Sequence, residues 1–324
     1  MSDSSYSSST GPVLCIGDFP AAPYALLADT FELVSRADLG ANPALAARVR
    51  AIVLRSAFVV PTALLDMLPA LEIVAFCGVG YDGIDLANAT ARGIVVTNTP
   101  GVLDAAVAEL TIGLVLSALR RLPQADRFTR DGRWRDGAFP LATSLAGKRA
   151  GIVGLGRIGH AIVRRLVPFE VECAYQGPRD QHNAIRYYAD VVELARDVDL
   201  LIVCCPANAQ TKHLIDARVL DALGPHGTLV NVARGSVVDE AALVAALRDG
   251  RIGAAALDVY ANEPLDAASP LVGFDNVVLT PHIASATHET RMRMIELTRD
   301  NLQCLFSTGR AITPVSLPAP LSGA

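Results

Sequence analysis

The sequence predicts an α/β fold of doubly wound parallel sheets, and three features carry that prediction. Short β-branched runs alternate with Ala- and Leu-rich helical runs, the pattern that lays helices on the faces of parallel strands. A Gly154-Leu155-Gly156-Arg157-Ile158-Gly159 turn stands in mid-chain between a strand-like and a helix-like segment. The chain has 324 residues, more than the roughly 100–200 of one domain, so two domains are expected.

In the first third, Val13–Ile16, Ile52–Leu54, Leu71–Phe76 and Ile94–Thr97 read as strands. Ala105–Leu122 follows as a long helix, with Asp104 placed to cap it and Pro123 beyond its end. Residues 128–149, which hold the single tryptophan, Trp134, read as irregular. A second series of strands begins at Ala150: Gly151–Val153, Val171–Tyr175, Leu200–Cys204, Thr228–Val232, Ala255–Val259 and Val277–Thr280. Thr287–Phe306 is a final helix, and Pro314, Pro318 and Pro320 make the end a coil. The Ser- and Thr-rich start reads as a flexible tail through residue 12.

An apolar fraction of 51% supports sizeable cores and excludes global disorder. The formal charge of -5 argues against nucleic acid or an anionic membrane as the main partner. Every charge-free stretch is shorter than the roughly 18 apolar residues of a spanning helix. The cysteines (Cys15, Cys77, Cys173, Cys204, Cys205, Cys304) are scattered, without the spacing of a disulfide framework or a zinc site, and no metal is expected. With no secretory or transit pattern at the N-terminus, a reducing cytoplasm is the expected compartment.

Within the glycine turn, Gly154 permits the tight bend, Gly156 lets backbone approach a pyrophosphate, and Gly159 lets helix pack on strand. The amides of Leu155, Arg157 and Ile158 at the helix start would hold the anion. The alternative is a purely structural turn, but a strand before and a helix after favour a dinucleotide. An NAD site usually carries an acid at the end of the next strand, for the ribose hydroxyls. Here that strand ends Cys173-Ala174-Tyr175 and continues Gln176-Gly177-Pro178-Arg179, with no acid. An uncharged Gln176 and Gly177 leave room, and Arg179 can pair a 2′-phosphate, so NADP(H) is preferred. In the alternative, Arg179 is solvated, Asp180 takes the ribose role, and NAD is the cofactor.

Three polar residues follow strands of the second series: Arg234 after Asn231-Val232-Ala233, Glu263 after Leu257–Asn262, and His282 after Thr280-Pro281. Ligands of open parallel sheets bind outside the carboxyl ends of strands, so the three are expected to converge. Reducing a 2-oxo acid needs a fixed carboxylate, a polarised carbonyl and a proton for the new alkoxide. A guanidinium suits the first two tasks, an imidazolium the third, and a carboxylate beside the ring orients it. Taken singly, each residue reads more readily as an ordinary side chain: a surface Arg, a satisfied loop His or a solvated Glu. Their order downstream of a phosphate turn argues for a joint role. His160, His182, His213, His226 and His288 lack such settings.

These segments resemble the D-isomer-specific 2-hydroxyacid dehydrogenase family over about residues 50–315. The resemblance rests on Cys77-Gly78-Val79-Gly80-Tyr81-Asp82, Asn98-Thr99-Pro100-Gly101-Val102, Gly154–Gly159, Asn231–Glu240, Leu257–Pro264 and Pro281-His282. It implies an oxidoreductase that moves a hydride from NAD(P)H to a small 2-oxo acid, giving a D-2-hydroxy acid. It also implies a Rossmann cofactor domain (residues 100–285) inserted into a discontinuous, flavodoxin-like substrate domain (residues 13–99 and 286–324). Arg234, Glu263 and His282 match the family's catalytic residues, and the amides of Val79 and Gly80, with Arg234 and His282, match its substrate site. Asp258 matches a position near the nicotinamide carboxamide, and Val232 and Ala233 line the cofactor pocket in relatives. Relatives form homodimers through the cofactor lobe, which makes Ala105–Leu119 the expected contact element or else an ordinary core helix.

The Tyr175–Arg179 stretch is similar to the branch that reduces glyoxylate, hydroxypyruvate or hydroxyphenylpyruvate with NADPH. Two departures stand out: Ala284 replaces a glycine common in relatives, and Pro178 stands where that branch often has a basic residue. Residues 54–58 (with Arg55), 78–81, Trp134 and Phe139 are the expected substrate lining. A non-enzymatic alternative is a dinucleotide-sensing regulator, as in corepressor relatives of the same fold.

Overall fold

The computed structural model describes residues 10–55 and 59–316. Most of the Ser-rich start, residues 56–58 of the expected substrate lining, and Pro318 and Pro320 lie outside them. Two compact units result, one of the chain up to Leu103 and from Thr287 onward, the other Asp104–Ala286.

The first unit is built on a sheet of five strands, β1 (Val13–Ile16), β2 (Leu33–Val34), β3 (Ala51–Arg55), β4 (Ile73–Cys77) and β5 (Val95–Thr97). Their order is β2-β1-β3-β4-β5 and every pairing is parallel. This is the flavodoxin-like doubly wound order. Near the N-terminus the Pro12 carbonyl accepts the Arg50 amide at 3.1 Å, which anchors the chain as it enters β1. The long helix His288–Thr308 belongs to this unit, with the Thr287 side chain accepting from the Thr290 amide as its N-cap.

The second unit has seven parallel strands: β6 (Arg149–Val153), β7 (Glu172–Gln176), β8 (Arg186–Tyr188), β9 (Leu200–Val203), β10 (Thr228–Asn231), β11 (Ala254–Leu257) and β12 (Val277–Leu279). Their order is β12-β11-β10-β9-β6-β7-β8. The winding reverses between β6 and β9, which makes the end of β6 a topological switch point. β9 and β10 are buried at every position, as strands covered on both faces must be.

The helix expected over Ala105–Leu122 spans Asp104–Arg120, so Asp104 is its first residue. Arg121 then takes a left-handed φ of 54°, and a second helix runs Leu122–Arg130 with Pro123 in its first turn, where a missing amide costs nothing. Residues 128–130, expected to be irregular, are therefore helical, and a 3-10 turn at Arg133–Arg135 follows. The sequence reading also missed β2 and β8. Both are short edge strands, and Arg-Tyr-Tyr in β8 carries no apolar pattern.

Past the carboxyl ends of β10 and β11 two loops press together at Gly235. A Cβ there would overlap the Tyr260 carbonyl, which is backbone and has no rotamer to yield. Gly235→Ala is therefore expected to lower the unfolding free energy by about 3 kcal/mol. Denaturant titration measures this, and an unchanged midpoint would show that the two loops are not held in contact.

Candidate active site

The glycine turn lies at the switch point. The Gly154 amide donates to the Gln176 carbonyl at 2.9 Å, tying the turn to the end of β7. Gly154 has φ +98°, and a Cβ on it would stand 2.6 Å from Cys205 Cα. A Cβ on Gly159 would stand 2.5 Å from the Gly154 carbonyl oxygen, whereas one on Gly156 would meet nothing within 4 Å. Two glycines thus serve close packing and the middle one faces open space. The helix Arg157–Leu166 begins there with no side-chain hydrogen bond capping it, which leaves its first amides to an anion. Such a cradle fits the pyrophosphate of a dinucleotide.

Beyond β7, Gly177 is buried and Arg179 is exposed. Asp180, the alternative ribose partner, is already engaged: its Oδ1 accepts from Tyr175 Oη at 3.0 Å and from the His182 amide at 2.8 Å. The His182 amide contributes most to holding the Asp180 carboxyl below the usual carboxylate range, helped by the Tyr175 hydroxyl and opposed by burial. Val232 and Ala233 are buried just past β10, with the Val232 amide donating to Val203 at 3.1 Å.

On the other side of the switch point, β10, β11 and β12 are neighbours. Arg234, Glu263 and His282 follow them in that order. The Asn231 side chain brackets the β10 loop, accepting from the Ala233 amide and donating to the Arg234 carbonyl, both at 3.0 Å. Arg234 Nη1 donates to the Ala233 carbonyl at 2.8 Å. Glu263 Oε1 accepts the Tyr260 amide at 3.1 Å, and Oε2 lies 2.7 Å from His282 Nδ1. Burial pushes the Glu263 carboxyl upward, but the His282 hydrogen bond and charge, the Tyr260 amide and the Arg234 charge outweigh it, and the net displacement is downward. Glu263 is therefore an ionised, acceptor-only partner, so His282 Nδ1 carries the hydrogen of that bond and Nε2 is left to serve a ligand. With 25% of the His282 side chain exposed, a ligand can reach the ring.

His282 has φ +53°, a conformation an ordinary side chain adopts only when its surroundings impose it. The imposing group is Asp258, fully buried beneath the loop. Its Oδ1 accepts from Thr280 Oγ1 at 2.6 Å and the Ile283 amide at 2.8 Å, and its Oδ2 from the Ala284 amide at 2.9 Å. Its carbonyl takes the His282 amide at 2.9 Å. Burial raises the Asp258 carboxyl above the usual range despite the Thr280, Ile283 and Ala284 hydrogen bonds. Tyr260 Oη donates to the Thr280 carbonyl at 2.9 Å, adding a second tie.

Other expected residues belong to other segments of the chain. Val79 and Gly80 follow β4 in the first unit, where Asn98 Nδ2 donates to the Val79 carbonyl at 2.9 Å and Thr99 binds the Gly78 carbonyl. Arg55 donates to the Asp18 carbonyl and lies 5.9 Å from the Phe19 ring centroid. Phe139 packs edge-on against Phe128 at 5.4 Å, and Trp134 is 71% exposed. Asn231 and Thr280 went unassigned in the sequence. The only signal for them is a polar residue closing an apolar strand.

Residues 112–284 match the family model for D-isomer specific 2-hydroxyacid dehydrogenase, NAD binding domain. A glyoxylate/hydroxypyruvate reductase A from Arabidopsis thaliana is 46% identical over 268 residues, covering 82% of this chain and 85% of that protein. A hydroxyphenylpyruvate reductase from Plectranthus scutellarioides matches at the same identity and coverage. Among solved structures, an NADPH-dependent glyoxylate/hydroxypyruvate reductase from Sinorhizobium meliloti, in complex with NADP and malonate, superposes with a TM-score of 0.89 at 48% identity. That match covers 95% of this chain and 97% of the other.

The downward displacement at Glu263 has a pH signature. A depressed folded-state pKa contributes stability above the ordinary carboxylate value of 4.5, lost as pH falls through the folded value. Wild type should therefore exceed Glu263→Gln in Tm at neutral pH, and the gap should close below about pH 4.5. A gap that stays constant from pH 7 down to about pH 3.5 would show that the Glu263 charge is not held by its neighbours.

Proposed function

Because the chain belongs to the D-isomer-specific 2-hydroxyacid dehydrogenase family, we propose that Arg234, Glu263 and His282 carry out the reduction of a small 2-oxo acid to its D-2-hydroxy acid. The chain is an oxidoreductase of the glyoxylate/hydroxypyruvate reductase kind, using NADP(H) in preference to NAD(H). The observation that carries the residue assignment is the 2.7 Å contact of His282 Nδ1 with Glu263 Oε2, beside Arg234 on neighbouring strand ends.

The bound dinucleotide supplies the hydride that adds to the carbonyl carbon. Arg234 holds the substrate's carboxylate and carbonyl oxygen with a charge it does not lose. His282 Nε2 gives a proton to that oxygen as negative charge develops, and takes it back in the oxidative direction. Glu263 fixes the ring and balances the imidazolium through Nδ1. The turn Gly154–Gly159 takes the pyrophosphate, with Val232, Ala233 and Asp258 on the nicotinamide side. Gln176, Gly177 and Arg179 take the adenosine ribose, and the engagement of Asp180 by Tyr175 and His182 supports a 2′-phosphate there. Resemblance alone assigns Val79 and Gly80, in the other unit, to the substrate carboxylate. The same holds for the division into a cofactor domain (residues 100–285) and a substrate domain (residues 13–99 and 286–324). The relatives named above are reductases and lend no support to a regulatory role.

We also propose a homodimer. The helix Asp104–Arg120 already buries much of its surface within its own chain. Just beyond it, Leu122–Arg130 has no buried residue, and Trp134 and Leu141, the latter 99% exposed, are apolar groups that a second copy would cover. The free thiols suit a reducing cytoplasm, the compartment we propose. Among the described residues no helix is long and apolar enough to cross a membrane.

Glyoxylate, hydroxypyruvate, phenylpyruvate and hydroxyphenylpyruvate, each offered with NADPH and NADH and followed by absorbance, test the activity. NADPH oxidation with at least one acid is expected, with kcat/KM higher than for NADH. His282→Ala should lower kcat by about 10²–10⁴-fold, and Arg234→Ala should weaken KM and kcat together. Near-normal kinetics in either variant would remove that residue from the chemistry. Light scattering on the purified chain should give twice the monomer mass, and a monomer would refute the dimer.

A further inference from the structure

The loop after β7 is tied down by more contacts than a turn between two strands needs. Tyr175 is fully buried at the end of β7, its ring centroid 5.3 Å from that of Tyr187 on β8. Its hydroxyl donates to Asp180 Oδ1 at 3.0 Å and accepts the Gln181 amide at 2.6 Å. The Gln181 side chain then crosses to the glycine turn, where Nε2 donates to the Leu155 carbonyl at 2.7 Å. Tyr187 Oη donates to the Gly177 carbonyl at 3.3 Å. One chain of hydrogen bonds therefore runs from the pyrophosphate turn through Gln181 and Tyr175 to Asp180. Gly177, Pro178 and Arg179 lie inside the span it closes.

Resting on the cofactor assignment above, we propose that Tyr175 and Gln181 are positioning residues that set the preference for NADP(H) over NAD(H). They do so by holding Asp180 engaged and Arg179 in register with the glycine turn. The physical logic is where the Asp180 lone pairs point. A free carboxylate beside the ribose would accept hydrogen bonds from a 2′-hydroxyl and repel a 2′-phosphate. Tyr175 and the His182 amide occupy Asp180 Oδ1, and His182 Nδ1 stands 3.4 Å from Oδ2. Asp180 keeps its charge, but its oxygens are turned to those donors, which leaves the Arg179 guanidinium for the phosphate. Fixing the loop to the Leu155 carbonyl also fixes the distance between the site of the pyrophosphate and that of the 2′-phosphate. The dinucleotide's own covalent length demands that this distance be constant.

The test is direct titration of Tyr175→Phe and Gln181→Met with NADPH and NADH by cofactor fluorescence. Thermal melting of each variant and kcat at saturating NADPH are read alongside. The Kd for NADPH should rise about tenfold in each, the loss of one charge-assisted contact, while that for NADH stays within about twofold. Melting and saturated kcat should hold. Equal weakening of both cofactors, no change in either, or a wild type that binds NADH as tightly as NADPH would overturn the proposal. Gln181 is exposed, so its variant decides the matter should Tyr175→Phe fail to fold. Cofactor titration requires no 2-oxo acid, so a failure here is distinct from a failure of the proposed substrate chemistry.

Discussion

The buried carboxylate of Asp258 is the interaction on which the arrangement of the second unit's reactive end depends. A buried carboxylate is costly unless hydrogen bonds replace its water, and the loop after β12 supplies it with three donors: the Thr280 hydroxyl and the amides of Ile283 and Ala284. Hydrogen bonds to a charged acceptor contribute about 1.5–3 kcal/mol each, enough to offset the left-handed backbone of His282. The exchange is mutual. The loop offsets part of the cost of burying Asp258, and Asp258 fixes a backbone that the residue at its tip would not adopt alone.

Once that loop is fixed, the rest follows from strand order. Parallel strands put all their carboxyl ends on one edge, so residues distant in sequence become neighbours without any local motif. Arg234, Glu263 and His282 each follow one of three adjacent strands, and Gly235 lets the first two loops touch. The glycine turn stands on the same edge, at the strand where the winding reverses, with the β7 loop tied to it through Gly154 and Gln176. A single sheet thereby presents the glycine turn on one side of its switch point and the Glu263–His282 pair on the other.

Much of this was legible in the residues. Strand ends, the glycine turn and the Arg-Glu-His set are local in sequence or follow from topology, and uninterrupted apolar runs marked the buried strands. The contacts that went unread are those whose partners are distant. Asp258 meets Thr280, Ile283 and Ala284 across separations of 22, 25 and 26 residues, and no local pattern announces them. Asp180 could be read as a ribose ligand because the Tyr175 hydroxyl that engages it belongs to a side chain indistinguishable, in sequence, from core. The break at Arg121 escaped because nothing at that residue signals a left-handed turn, and Pro123 read as a stop where it opens a new helix. Edge strands β2 and β8 are too short to carry a period.

The claim on which the chemistry turns is that Glu263 takes its hydrogen bond from Nδ1 of His282, leaving Nε2 to meet the substrate oxygen. Nitrogen-15 NMR of the histidine ring, assigned by comparison with His282→Ala, reads that directly at the pH where the ring is neutral. A protonated Nδ1 and a bare Nε2 are predicted. A proton on Nε2 with Nδ1 bare would contradict the account, since two acceptors would then face each other across 2.7 Å.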